Sequence, residues 1–189
     1  MKVLDITRDL FTAPVYPGDP VPYPDPKLRM AENGSLCNLS AFYSGCHSGT
    51  HVDAPLHFLP GGSDIASLPL EAFCGPCTVL TVPSGPLDAA FFMRVHVSDR
   101  VLLRGPGYLL KSAIGYLYTR GVKLVGTDRQ SIGLPDDERT AHTALLTYGI
   151  AVLENLDLSA APDGDYTLFA APLKIGGAEG APCRAILVR

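Results

Sequence analysis

The stretch His47-Ser-Gly-Thr-His51-Val-Asp53-Ala-Pro-Leu-His57 packs three of the chain's five histidines into eleven residues. Gly45, Gly49, Thr50, Val52 and Pro55 make it poor helix material, and the span from 35 to 58 reads as strand with a turn at its end. Side chains of an extended segment alternate between faces, so His47, Gly49, His51 and Asp53 share one face, and Gly49 leaves room between the two imidazoles. Two neutral imidazoles and a carboxylate on one face form a three-ligand cup for a divalent transition metal. A helix would still align His47 with His51, but it would turn Asp53 away and misplace Pro55. Pro55 re-aims the chain before His57. A histidine just beyond a metal cup suits a general base, since its ordinary pKa near 6.5 allows proton transfer around neutrality.

The elements on either side alternate. Residues 1–10 read as a strand. From Pro14 to Pro26 there are six prolines, which exclude a helix and predict an extended surface loop over residues 14–26, either a rigid wrap or a flap over a site. Residues 59–69 read as a loop. CTVLTV (77–82), RVLLR (100–104), VKLVGTD (122–128), IAVLEN (150–155), DYTLFAAP (165–172) and RAILVR (184–189) read as strands. LLKSAIGYLYTR (109–120) carries apolar residues at helical spacing, with Gly121 placed to cap its end. A second helix is expected from about Asp136 to near Gly149, with Asp136, Asp137 and Glu138 in its first turn, where the helix dipole favours acids. The sum is one mixed α/β domain over residues 1–189, richer in strands than simple βαβ winding would give.

Further ligands can come from far along the chain. His142 on the second helix is one candidate. Glu154, inside the apolar run Val-Leu-Glu-Asn, is another, because a carboxylate buried there is costly unless paired or metal-bound. Residue spacing leaves open that both simply face solvent. His96 has no partner nearby in sequence and reads as a surface residue. Cys74-Gly-Pro-Cys77 spells a redox tetrapeptide. Such a dithiol needs its first thiolate at a helix N-terminus, but the next residues, Thr-Val-Leu-Thr-Val-Pro, are strand-like.

Composition narrows the class. The 189 residues are 47% hydrophobic and 18% charged, which excludes intrinsic disorder. Net charge is −4, so there is no basic excess for nucleic acid. No apolar run approaches the roughly 18 residues of a membrane span, and the charged start (Asp5, Arg8, Asp9) does not read as a signal peptide. Five cysteines, an odd number, suggest reduced thiols and a cytoplasmic setting.

The run HSGTHVDAPLHF resembles the signature of the cyclase-like metal hydrolases, the family of bacterial kynurenine formamidase and isatin hydrolase. Tyr16-Pro-Gly-Asp19 resembles that family's N-terminal substrate loop, and Gly126-Thr-Asp-Arg-Gln-Ser131 its central strand-end motif. His142-Thr-Ala-Leu-Leu with Gly149-Ile-Ala-Val-Leu-Glu154-Asn-Leu is similar to its second metal motif, and Pro172-Leu-Lys-Ile-Gly-Gly with Pro182-Cys-Arg-Ala-Ile to its C-terminal signature. The resemblance implies a swivelling β/β/α fold and a homodimer or larger homo-oligomer. It implies two divalent ions, zinc or manganese: one held by His47, His51 and Asp53, the second by His142 and Glu154, with Asp53 and Glu154 shared. It also implies His57 as the catalytic histidine and Tyr16 as a substrate contact, where kynurenine formamidases tend to carry tryptophan. The expected reaction is hydrolysis of a small amide, a formamide or lactam, by metal-activated water. A cyclase or esterase on the same scaffold, a non-catalytic metal-binding protein and a thiol oxidoreductase are the competing readings.

Overall fold

The computed structural model describes residues 1–134 and 136–189. Its strands are β1 (Val3–Asp5), β2 (Tyr23–Leu28), β3 (Leu39–Tyr43), β4 (His51–Asp53), β5 (Cys74–Thr81), β6 (Gly85–Leu87), β7 (Arg100–Arg104), β8 (Gly107–Leu109), β9 (Leu124–Thr127), β10 (Ala151–Glu154), β11 (Gly164–Phe169), β12 (Gly180–Pro182) and β13 (Ile186–Val188). Its helices are α1 (Met30–Asn33), α2 (Ala89–Phe92), α3 (Lys111–Thr119) and α4 (Glu138–Thr147). Nine strands form one mixed sheet in the order β1-β13-β11-β5-β7-β9-β10-β4-β12. The central β5, β7, β9 and β10 run parallel, and the flanking strands pair antiparallel. Beyond the end of β1, Thr7 bridges Leu156 just after β10, so the sheet curls across its own middle.

Parallel strands covered on both faces must be apolar on both. Leu102, Leu124 and Leu153 enter a core inside the curl with Ile6, Val52 and Phe73. Their neighbours Val101, Val125 and Val152 enter a second core under the helices, with Phe92, Ile114, Leu117 and Leu145. The period of two along β7, β9 and β10 thus builds the sheet-on-sheet and sheet-on-helix layers of the β/β/α class. Gly121, at φ 75°, ends α3 as expected. In α4, Asp137 is the N-cap, accepting the Thr140 N–H, and only Glu138 lies in the first turn. No described helix is long and apolar enough to cross a membrane.

Two local expectations need correction. The proline-rich stretch is not loop throughout: its second half is β2, paired with β3 in a hairpin separate from the main sheet. Pro24 and Pro26 alternate along β2, so their missing donors fall on its unpaired side. The span 35–58 is not one strand either. β3 ends at Tyr43, residues 44–50 turn, and β4 is three residues long before a 3₁₀ turn over Pro55–His57. Gly49 does not make space between imidazoles. It takes φ 62°, and a Cβ there would sit 3.3 Å from Leu10 Cα.

Cys74-Gly-Pro-Cys77 lies within β5. Gly75 adopts φ 133° against the Arg100 guanidinium, which is 2% exposed and donates to the carbonyls of Glu71, Ala72 and Pro76. A Cβ on Gly75 would lie 2.8 Å from Arg100 Nη1. The tetrapeptide is therefore the cradle of a buried cation. Burial pushes the Cys77 thiol up to about 12, the opposite of a redox thiolate.

Candidate metal centre and active site

The curl brings the two histidine-bearing segments together. β4 pairs antiparallel with β10, which sets His51 opposite Glu154 and Asp53 opposite Val152. α4 packs over β10 and delivers His142. His47 arrives from the turn before β4, not from the strand, yet its Nδ1 lies 2.9 Å from Asp53 Oδ1. The structure thus brings together His47, His51, Asp53, His142 and Glu154.

Asp53 is fully buried and uses its two oxygens in different directions. Oδ1 faces His47 Nδ1 at 2.9 Å and His51 Nε2 at 3.4 Å; Oδ2 faces His142 Nε2 at 3.4 Å. Glu154 Oε1 lies 3.0 Å from His142 Nε2 and accepts the Ile132 N–H at 2.6 Å, while Oε2 lies 3.6 Å from His51 Nε2. Two triads result, His47–His51–Asp53 and Asp53–His142–Glu154, with the donor atoms of each within 4.8 Å of one another.

The rings are fixed from behind. His51 Nδ1–H donates to Gly49 O at 2.9 Å and His142 Nδ1–H to Glu138 O at 2.7 Å. A carbonyl can only accept, so both rings carry the proton on Nδ1 and turn Nε2 toward the carboxylates. His142 also stacks on Phe58, centroids 4.5 Å apart. Burial opposes charge on His51, but Glu154 and Asp53 outweigh it and push the imidazole up to about 9. The same balance, with Asp53 and Glu154, takes His142 to about 11. Burial likewise opposes ionisation of Asp53, yet the His142 and His47 imidazoles beside it hold it well below the usual carboxylate range. The cluster therefore calls for positive charge among buried anions.

A divalent cation fits this donor set on two observations. Asp53 Oδ2, inside the cluster, is buried and makes no hydrogen bond. The donors are mixed imidazole and carboxylate, three to a group and sharing one acid, which is the chemistry of a transition-metal site.

His57 stands beside the triads, at the end of the 3₁₀ turn. Its ring stacks on His47 with centroids 4.1 Å apart and lines a cavity of about 180 Å³ that also contacts His51, His142 and Glu154. Burial holds its pKa below the ordinary value, which favours the neutral base. Tyr16 reaches the same cavity from the N-terminal loop and donates its hydroxyl to Glu138 Oε1 at 2.7 Å, so this loop is tied to α4 above the site. A neighbouring cleft of about 300 Å³ shares Tyr16, Gln130, Ser131 and Glu138 and adds Arg129. His96 is exposed and far from this cluster in the fold, 3.7 Å from Asp165.

Sequence reasoning missed several residues of the site. Phe58 closes the HSGTHVDAPLHF run but stands out only as an apolar residue, and Glu138 reads only as a helix-start acid, although its carbonyl holds His142 and its carboxylate holds Tyr16. Asp19, Gln130 and Ser131 line the cavity and do lie inside the Tyr16–Asp19 and Gly126–Ser131 motifs. Asn155 takes φ 58°, an uncommon conformation for a residue with a side chain, and turns the backbone directly after Glu154 so that its carbonyl accepts the Thr50 hydroxyl at 2.7 Å.

The family model described as "Putative cyclase" matches residues 4–99. A kynurenine formamidase of Erythrobacter litoralis is 36% identical over 98% of this chain and 93% of its own. That of Salinibacter ruber is 38% identical over 99% of this chain and 97% of its own. A solved structure described as a potential metal-dependent hydrolase with cyclase activity superposes with TM-score 0.82 at 27% identity, covering 98% of this chain and 96% of that one. Isatin hydrolase A from Labrenzia aggregata, at 21% identity and TM-score 0.80 over 99% of this chain and 93% of its own, shares the fold. A family match over half the chain and relatives aligned nearly end to end agree with the order of motifs around the two triads: this chain belongs to the cyclase family.

Proposed function

We propose that the protein is a metal-dependent amidohydrolase that cleaves the carbon–nitrogen bond of a small formamide or lactam. The observation that carries this reading is Asp53, buried between two triads and presenting one oxygen to each. His47, His51, Asp53, His142 and Glu154 would hold the metal, as two ions with Asp53 shared; zinc and manganese both suit such ligands. Divalent ions bound there supply Lewis acidity and acidify water toward a pKa near 7. The relatives named as kynurenine formamidases support an amide substrate.

The chain's own residues divide the remaining work. His57, neutral and facing the cavity, accepts a proton from the attacking water and returns it to the departing nitrogen. Phe58 and the backbone acceptors hold His142 and His51 in single orientations. Tyr16 offers an aromatic face at the mouth, suited to an aryl group attached to the scissile nitrogen. Arg129, held by the Gly107 and Gly133 carbonyls, lines the adjoining cleft and would meet an anionic substituent there. The scale of the cavity suits a small substrate.

The hairpin of β2 and β3 buries none of its strand residues and exposes Tyr23, Leu39, Phe42 and Tyr43. A lone two-stranded hairpin is marginal in water, so we infer that a second copy of the chain covers it, in a homodimer or larger assembly. The five free cysteines suit a reducing, cytoplasmic setting. Elemental analysis of protein purified without chelator, paired with turnover of N-formyl arylamines, lactams, cyclic imides and aryl esters, tests the proposal. Bound divalent metal with amide cleavage supports it. Metal without cleavage, or cleavage of esters alone, overturns it.

A further inference from the structure

The three ligand imidazoles are not supported alike. His51 and His142 turn Nε2 into the cluster and rest Nδ1–H on backbone carbonyls. His47 is reversed. Its Nδ1 faces Asp53, and its Nε2 is buried without a hydrogen bond. When Nδ1 serves as a metal ligand, Nε2 must carry the proton, and a buried N–H needs an acceptor. Among the described residues no backbone carbonyl bonds to it. The polar group that faces it is the carboxylate of Glu179, with Oε1 3.4 Å from Nε2.

The chain around Glu179 is built to keep that group in place. The Glu179 carbonyl accepts the Ala54 N–H at 2.8 Å, and Gly180 stands in register with Asp53 on β4. His47 lies against Gly180, where a Cβ would sit 2.7 Å from His47 Cε1 and 2.9 Å from Val52 O. Only glycine lets the imidazole edge reach the adjacent acid. The Glu179 side chain is 43% exposed, so it can close the remaining few tenths of an ångström.

We propose that Glu179 is a positioning residue for the metal centre: its carboxylate accepts the His47 Nε2–H, fixing the tautomer and ring plane that aim Nδ1 at the ion. Carboxylates behind a metal-bound histidine raise its basicity and typically matter by 10–100-fold in metal affinity. The role rests on the reading of the cluster as a metal centre. It is independent of the substrate and of His57.

The test compares wild type, E179A and E179Q by Co²⁺ titration of chelator-treated protein, with affinity read by competition against a chromophoric chelator. The visible Co²⁺ bands and thermal melting of the metal-free proteins complete it. Co²⁺ affinity should fall about 10–100-fold in E179A and less in E179Q, whose amide oxygen still accepts the N–H. The Co²⁺ bands should shift in E179A, while metal-free melting stays at the wild-type value in both variants. Wild-type affinity in E179A, or a loss that tracks a lower metal-free melting temperature, overturns the role of Glu179. Failure of wild type itself to take up Co²⁺ overturns instead the metal-centre reading.

Discussion

His51 and Glu154 face each other directly across the antiparallel β4–β10 pair, with His51 Nε2 3.6 Å from Glu154 Oε2. The register of two strands, and not a loop, therefore fixes the spacing of ligands that are 103 positions apart in the chain. Glu154 also holds the Ile132 N–H and faces His142. Removing its carboxylate in E154A leaves the buried Ile132 N–H without an acceptor and His51 and His142 facing Asp53 alone, so we expect a loss of about 1–3 kcal/mol in stability. Bound metal should fall in parallel. Chelation of the wild-type protein should abolish turnover, and added divalent ion should restore it. Denaturant melts and elemental analysis check these outcomes; an E154A protein with full metal content would contradict the site.

His57 lines the cavity beside the triads and stacks on His47 without facing either carboxylate within ion-pair distance. H57A should therefore keep its metal, while kcat falls by about 10²–10⁴-fold, the range for loss of a proton-transfer group. Metal content and single-turnover rates separate the two effects. Undiminished turnover would remove His57 from the chemistry.

Much of this centre was legible from residue spacing, and for a partly different reason than the one the structure shows. His51 and Asp53 do share a strand face. His47 reaches them from the turn over residues 44–50 and not from the strand face that the extended reading gives it, with its Nδ1 2.9 Å from Asp53 Oδ1. His142 and Glu154 were candidates by chemistry, but their meeting with Asp53 depends on the order β9-β10-β4, a nonlocal pairing that no local pattern encodes. The apolar runs at β7, β9 and β10 announced strands buried on both faces. The prolines of β2 hid a strand, because proline removes the donors by which a strand is recognised. The short β6, β8 and β12 have too few residues to show a period.

The cysteines give a pH test. Burial pushes Cys77 and Cys183 each up to about 12, whereas Cys37 is exposed. An unfolded thiol ionises near 8.5. The folded state keeps these two protons longer, so the stability they contribute is complete below about 8.5 and is lost as pH climbs from there toward 12. We expect melting temperature to decline across that alkaline window. At pH 8 iodoacetamide should modify Cys37 first and leave Cys77 and Cys183 untouched until denaturant is added, as peptide mass spectrometry can read. Equal labelling of Cys77 and Cys37 in the native protein would refute the buried-thiol account.

Tyr16 ties the N-terminal loop to α4 through one hydroxyl, donated to Glu138 Oε1. A hydrogen bond to a charged acceptor contributes about 1.5–3 kcal/mol at most, and less when partly exposed. Y16F keeps the aromatic face and loses the tether. It should raise KM for an aryl formamide up to about tenfold, equivalent to about 1.4 kcal/mol, with kcat nearly unchanged. Y16A, which also removes the ring, should raise KM further. An unaltered KM in Y16A would show that the loop does not touch substrate.

Gly62 offers a way to move His57 without changing any group in the cavity. The Pro55–His57 turn is braced by the loop behind it: Leu56 N–H donates to Ser63 O at 3.0 Å, and Gly62 packs against the turn's backbone. A Cβ at Gly62 would lie 2.6 Å from Pro55 C and 2.8 Å from Leu56 N, so the backbone itself must yield. Overpacking of this kind costs about 1–3 kcal/mol. The displacement falls on the turn that carries His57, while His47, His51 and Asp53 are held by β4, β12 and Asp53's own contacts. G62A should lose turnover and retain bound metal, giving the signature of H57A from a position outside the cavity. If G62A lost metal and turnover together, the turn and the triads would be one mechanical unit, and the base could not be separated from the ligands.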